Sequence, residues 1–168
     1  MQGNEPFEIT INWSTHVDLD LCVFYRSCDG EEGGVFSDEF RSNSSDLGCL
    51  SAYPNMQHMG DVKESIPGRI CSETVKVGRP DNFERLDIVV INYNDAIDLL
   101  DVNYCDPDGN CMLGDREIKA APQGHGQAYH VATMQRDAAG VLQITEVNKV
   151  LPLREAYETI PGFALICE

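Results

Sequence analysis

Two aspartates in the N-terminal part of the chain, Asp18 and Asp20, are spaced for joint chemistry. They lie in an alternating stretch, and side chains at positions i and i+2 of a strand point to the same face. Two carboxylates this close repel each other unless protons or a cation compensate their charge. A hard cation such as Ca²⁺, which prefers six to eight oxygen ligands, is the natural partner. The alternative is a solvent-facing strand end, where water screens both charges.

A second acidic segment begins at His58 and runs to Glu73. Gly60 and Asp61 have the composition of a tight turn. The loop that follows them carries Glu64 and offers backbone carbonyls that could complete a calcium shell. The alternative interpretation is an ordinary polar loop with a turn glycine.

A third acidic segment has the oxygen spacing of an EF-hand loop. Asp106, Asp108, Asn110 and Glu117 occupy positions one, three, five and twelve of such a loop. Cys111 occupies the sixth position, where that motif requires glycine, and no amphipathic pattern flanks either end. The first five residues also form a strong turn sequence. The segment therefore predicts a hairpin turn, with weak cation binding as the second interpretation.

The elements that must position these acids are mainly strands, because the hydrophobic pattern has a dominant period of two. One short run of helix formers ends before Pro161 and Gly162, which predicts a single helix. Many short strands without a linker or repeat predict one domain over residues 1–168. Its fold class is mostly β, a two-sheet antiparallel β-sandwich with one short helix near the C-terminus. The predicted strands cover residues 7–13, 17–25, 74–77, 86–93, 128–134 and 141–147, the last two as a hairpin, and the helix covers 153–159.

The charge balance restricts the partners. The 168 residues include 28 acids and 12 Lys and Arg, which gives a net charge of −16. No basic cluster is available to neutralise phosphates, so nucleic-acid binding is not expected. A bare anionic membrane surface is unfavourable for the same reason, and the apolar stretches are too short for direct membrane insertion.

The cysteines and the N-terminus predict the compartment. The N-terminal residues lack the charged and apolar regions of a secretory signal. The chain has 7 cysteines, an odd set that we interpret as reduced thiols rather than a disulfide framework. We therefore expect a cytoplasmic protein.

Catalytic interpretations find little support in the sequence. A Cys–His nucleophile would need a stabilised thiolate, whereas the acidic surroundings should raise thiol pKa values. Gly33 and Gly34 lack the Lys and Ser/Thr of a phosphate-binding loop. His130 falls within a predicted strand, and we interpret it as a satisfied structural histidine. We therefore expect no enzymatic activity.

Taken in order, the motifs over most of the chain, most clearly those of residues 9–93, resemble the TerD-like family of tellurium-resistance and stress-response proteins. The resemblance rests on the strand with Asp18 and Asp20, the turn His58-Met59-Gly60-Asp61 and the strands that follow. It implies a calcium-binding β-sandwich. By position, the implied metal ligands are Asp18, Asp20, Gly60, Asp61 and Glu73, with Glu64 as a local substitute.

Some positions depart from the family pattern. Val62 stands where the family has a ligand-type Asn, and Cys71 and Ser72 stand where two aspartates precede the acid matched by Glu73. Each lost carboxylate weakens a calcium site, because affinity follows the charge of the ligands.

The sequence therefore predicts a non-enzymatic, calcium-binding stress-response module whose acidic loop is ordered by the ion. Its expected partners are calcium and other stress-response proteins, and the calcium site is expected to be weaker than in relatives, or lost. The alternative function is a metal-free protein–protein interaction module, in which the same acids form a surface for a basic partner.

Overall fold

The segments with an alternating hydrophobic pattern form strands, and the structure is mostly β, as predicted. The computed structural model describes residues 5–13, 19–36, 47–60, 71–92, 100–105, 115–116 and 127–164. A short 3-10 helix spans Pro80–Asn82, and the helix α1 spans Leu153–Thr159. The strands are β1 (Phe7–Trp13), β2 (Leu19–Ser27), β3 (Glu32–Val35), β4 (Gly48–Cys49), β5 (Met56–His58), β6 (Cys71–Val77), β7 (Phe83–Asn92), β8 (Leu100–Cys105), β9 (Asp115–Arg116), β10 (Gln127–Arg136) and β11 (Leu142–Pro152).

These strands form two sheets in which every pairing is antiparallel. Sheet A has the order β4-β5-β6-β1-β8-β9, and sheet B has the order β11-β10-β7-β2-β3. In sheet A, Ile9 of β1 lies opposite Val75 of β6. In sheet B, Ile88 of β7 lies opposite Val23 of β2. The predicted two-sheet antiparallel architecture is confirmed.

One hydrophobic core joins the inner faces of the two sheets. Alternate residues of each strand enter it, because successive side chains of a strand point to opposite faces. Full burial of one such side chain contributes roughly 1.5–3 kcal/mol, so this core is the main source of stability. Its fully buried members include Ile9, Ile11, Leu21, Met56, Leu86 and Ile88.

The outer face of sheet B is covered by the chain that follows β11. The rings of Phe24 and Phe163 pack here with their centroids 5.1 Å apart. A helix of 7 residues is marginal on its own, so docking on the sheet stabilises α1. The helix matches the predicted range 153–159. The apolar cluster on this face contains Cys22, Phe24, Phe36, Val89, Ile91, Ala128, Leu151, Ala156, Ile160 and Phe163.

The last two strands form the predicted hairpin. They pair from Gln127 opposite Pro152 to Arg136 opposite Leu142. In the connection, Asp137 Oδ1 accepts hydrogen bonds from the backbone N–H groups of residues 139 and 141, at 2.9 and 3.0 Å. Gly140 has a φ of 82°, a conformation that glycine adopts without strain.

Several strands are absent from the sequence prediction. The strands β3, β4, β5 and β9 have 2–4 residues, too few for an alternating pattern to be recognised. The strand β8 does alternate apolar and polar residues, and this signal could have identified it. The strand β6 starts at Cys71 rather than at residue 74, so Glu73 belongs to a strand and not to the preceding loop.

Candidate functional site

Asp20 lies near the start of β2 and is fully buried, with 0% of its surface exposed. It shares a face of sheet B with Cys22, because residues two apart in a strand point the same way. The alternative in which water screens the strand acids is wrong for this residue, since the fold removes its carboxylate from solvent. Its predicted partner Asp18 lies outside the described residues.

Glu73 is the second buried acid of the predicted set, with 1% of its surface exposed. It lies in β6 opposite Ile11 of β1. Its Oε2 accepts a hydrogen bond of 2.8 Å from the backbone N–H of Leu21 in β2. The strand β3 pairs with residues 23–26 of β2, so Leu21 lies just before the part of β2 that pairs with β3. A carboxylate from sheet A thus satisfies a backbone donor of sheet B.

His58 ends β5 and holds Glu73 from a second side. Its Nε2 lies 3.3 Å from Glu73 Oε2, and its Nδ1 accepts a hydrogen bond of 3.1 Å from the backbone N–H of Gly60. A backbone N–H can only donate, so Nδ1 is an acceptor and the ring is neutral, with its proton on Nε2. The ring therefore donates to Glu73. Three hydrogen bonds join the residues after β5 to β6 and then to β2.

The thiol of Cys22 is affected by the charges of both buried acids. Burial raises the pKa of Cys22 well above its ordinary value, and the negative charges of Asp20 and Glu73 raise it further. Both carboxylates are therefore within electrostatic reach of one sulfur atom, although they come from different sheets. Such a thiol stays protonated and is a poor nucleophile. The predicted effect of acidic surroundings on thiols is confirmed at this cysteine.

Cys49 behaves in the opposite way. Its Sγ lies 3.3 Å from the hydroxyl of Ser51. This hydrogen bond, followed by those from the backbone of Ser51 and Ala52, lowers the pKa of Cys49 below its ordinary value. The expectation that the acidic composition raises thiol pKa values is wrong here, because donors in direct contact with the sulfur stabilise the thiolate.

The structure describes only part of the predicted ligand set. Glu73 is bonded to the backbone N–H of Leu21, the residue after Asp20, and Gly60 is connected to Glu73 through His58. In the described ranges, no group of three or more His, Cys, Asp or Glu side chains is arranged to hold a metal ion. The predicted ligands Asp18, Asp61 and Glu64, and the second loop with Asp106, Asp108, Asn110 and Glu117, lie outside those ranges.

A second buried polar cluster, absent from the sequence prediction, surrounds Asp87 on the outer face of sheet B. Oδ1 of Asp87 accepts hydrogen bonds from Thr133 Oγ1 at 2.8 Å and from His130 Nε2 at 2.9 Å. The guanidinium of Arg85 donates to both carboxylate oxygens, at 2.8 and 3.0 Å. His130 is thus a satisfied strand histidine, as predicted. An acid between the apolar residues of β7 is the sequence signal that could have revealed the cluster.

The surroundings of Asp87 hold it in the charged form. Burial acts to raise its pKa, but the hydrogen bonds from His130, Arg85 and Thr133, together with the charge of Arg85, outweigh burial. The pKa of Asp87 is therefore below its ordinary value.

A β-bulge in β10 brings the partners of Asp87 together. Against β7, His130 lies opposite Val89 and Ala132 lies opposite Ile88, so Val131 is an extra residue. In a regular strand, residues 130 and 133 would point to opposite faces. The bulge shifts the alternation by one residue and places both side chains on the face of Asp87.

The described helices include none that is long and apolar enough to cross a membrane.

Two antiparallel sheets with a shared core and a helix on the outer face of sheet B define an antiparallel β-sandwich. The chain is similar in structure to a homologue of the telluride resistance protein TerD from Streptomyces coelicolor A3(2), with a TM-score of 0.58 and 12% sequence identity over 88% of this chain and 90% of that chain. It is also similar to SAV2460, a protein of unknown function, with a TM-score of 0.56 and 13% identity over 89% of this chain and 90% of that one. No protein-family model matches the sequence, and no curated protein matches it significantly.

At these identities the likeness shows a shared fold. The resemblance to TerD-like proteins is confirmed at that level.

Proposed function

We propose that this chain is a non-enzymatic, calcium-binding module of the TerD type, which acts with other proteins in a cytoplasmic stress response related to tellurium resistance. The fold shared with the TerD homologue supports the stress-response assignment. Free thiols at Cys22, Cys28 and Cys49 fit a reducing compartment. The observation that carries the calcium proposal is the burial of two acids, Asp20 of sheet B and Glu73 of sheet A, with Glu73 bonded to the backbone of β2 one residue after Asp20.

The donor set fits a hard cation. Carboxylate and carbonyl oxygens are the ligands that Ca²⁺ prefers, and buried charges are costly unless an opposite charge compensates them. The N–H of Leu21 and the ring of His58 orient Glu73. A bound calcium ion would add positive charge close to these buried carboxylates. Asp20, Glu73 and the carbonyl of Gly60 would hold the ion, and Asp18, Asp61 and Glu64 would complete its shell.

Burial separates this proposal from the metal-free interaction module. A side chain with no exposed area cannot contact a protein partner, so Asp20 and Glu73 cannot belong to an acidic docking surface. Their conservative replacement would then leave the binding of a basic partner unchanged. Under the calcium proposal the same replacement removes ligand charge and weakens the ion site.

Calorimetric titration of the full chain with CaCl₂ tests the proposal. Asp20→Asn and Glu73→Gln remove one charge each at the site, and Asp29→Asn and Glu84→Gln do so at exposed positions. We expect the two control variants to bind calcium like the wild type. The two site variants should bind it at least about tenfold more weakly, because ligand charge sets affinity. Absence of binding by the wild type, or equal binding by all variants, would contradict the proposal.

A further inference from the structure

His58, the last residue of β5, contacts both Glu73 of β6 and the residues that follow β5. It lies opposite Val75 in the pairing of β5 with β6, and Glu73 lies two residues before Val75 on the same face of β6. His58 and Glu73 are therefore diagonal cross-strand neighbours, an arrangement within reach of long side chains. The backbone N–H of Met59 donates to the carbonyl of Thr74 at 2.9 Å, which keeps the chain against β6 just after the histidine.

We infer that His58 is a positioning residue for the proposed ion site. Its ring holds the carboxylate of Glu73 through Nε2 and the backbone of Gly60 through Nδ1, so that these two groups keep a fixed relation to each other and to Leu21. This inference rests on the proposed function, because positioning matters for affinity only if an ion binds there.

The two ring nitrogens of His58 have different hydrogen-bonding roles. Nδ1 accepts from Gly60, and Nε2 donates to Glu73. With 1% of its surface exposed, the ring has little room to rotate, and each bond fixes the tautomer that the other requires. Groups that orient ligands in this way reduce the ordering that an ion must impose when it binds.

Three substitutions separate these tasks. His58→Gln keeps an N–H donor near the position of Nε2, and His58→Asn keeps an acceptor near the position of Nδ1. His58→Leu removes both. Met59→Leu, at the exposed neighbouring residue, is the control, and circular dichroism establishes that each variant is folded.

The first measurement is amide hydrogen exchange by NMR in the calcium-free protein. We expect His58→Leu to lose protection at the N–H groups of both Leu21 and Gly60. His58→Gln should retain protection at Leu21 only, and His58→Asn at Gly60 only. Unchanged protection at both amides in His58→Leu would overturn the inference.

The second measurement is calcium affinity. We expect His58→Leu to bind calcium about tenfold more weakly than the wild type, in the range known for groups that orient metal ligands, with His58→Gln restoring most of the loss. A merely structural role predicts no such rescue, so equal affinities of the Leu and Gln variants would overturn the inference. A wild type that binds no calcium would refute the proposed function and the affinity claim, whereas the exchange pattern would still decide whether His58 positions Glu73.

Discussion

Among single residues, Asp87 links the stability of this protein to pH. Its pKa is lowered in the folded state, so the unfolded chain binds a proton more readily than the folded one. The resulting stabilisation is fully present above the ordinary carboxyl pKa of about 3.9. It is lost as the pH falls through the lower, folded-state value.

The substitution Thr133→Val tests this linkage by removing one donor to Asp87. Thr145 lies opposite Thr133 in β11 and is exposed, so Thr145→Val is a matched control. At pH 7 we expect Thr133→Val to lower the free energy of unfolding by about 1.5–3 kcal/mol, the usual contribution of a hydrogen bond to a charged group. The difference should shrink as the pH falls below the ordinary carboxyl pKa of about 3.9 and towards the lower, folded-state value, where the carboxylate of the folded protein becomes protonated. Urea unfolding from pH 7 down to about pH 2 measures both, and an equal loss across the whole range would contradict the argument.

The thiols provide a second prediction at this scale. Cys49 has a lowered pKa and is accessible, whereas the pKa of the buried Cys22 is raised. The thiolate is the reactive form, so iodoacetamide at pH 7.5 should modify Cys49 rapidly and leave Cys22 intact in the folded protein. Ser51→Ala should slow the reaction of Cys49, while Ser72→Ala, an exposed serine elsewhere, should not. Peptide mapping by mass spectrometry measures this, and an unchanged rate in Ser51→Ala would show that the hydroxyl does not stabilise the thiolate.

At the scale of elements, the packing of the C-terminal segment on β3 depends on glycine. Gly162 has a φ of 87°, and a Cβ added there would collide with the backbone carbonyl of Gly33 in β3. Gly140 has a similar φ of 82°, but a Cβ there would meet no atom within 4 Å. The two glycines therefore share the backbone requirement and differ in the space around them.

We expect Gly162→Ala to lower the free energy of unfolding by about 2–4 kcal/mol, since strained backbone and overpacking both contribute. Gly140→Ala should cost only about 1 kcal/mol, because the left-handed conformation is its single penalty. Urea unfolding of both variants checks the comparison. Equal losses would mean that the contact with Gly33 does not constrain the packed C-terminal segment.

Some elements of this fold could be predicted from the sequence because they have a local pattern, and others could not. The strand β1 and the helix α1 match the predicted ranges, because a clean alternation and a run of helix formers are local signals. The cluster at Asp87 has no local signal of this kind. The bulge at Val131 reverses the alternation between residues 130 and 133, and tertiary packing decides where a bulge forms.

The same limit applies to the candidate site. The acid at position 20 and the glycine at position 60 follow from the motifs. The bond between Glu73 and the N–H of Leu21 does not, because it depends on the distance between two sheets rather than on spacing along the chain.

For the whole molecule, the net charge of −16 predicts two kinds of response to cations. Any salt screens repulsion among the acids, whereas a specific site responds to calcium beyond this effect. At a calcium concentration one hundred times the Kd, binding adds about 2.7 kcal/mol, which for a domain of this size raises Tm by roughly 5–10 °C. Melts in millimolar CaCl₂, in EDTA and in NaCl at matched ionic strength measure the difference. Equal midpoints in calcium and matched NaCl would contradict a specific site.

The hydrogen bond from Leu21 to Glu73 also affects whether a strand of another chain can pair with β2 at this position. A bare backbone donor at the margin of a sheet is a template on which a foreign strand can add, the first step of β-aggregation. Glu73 already occupies that donor, and an incoming strand would have to displace a buried carboxylate to reach it. Within the described residues, the acid therefore leaves no free donor at Leu21 for a foreign strand to pair with, whether or not an ion is bound.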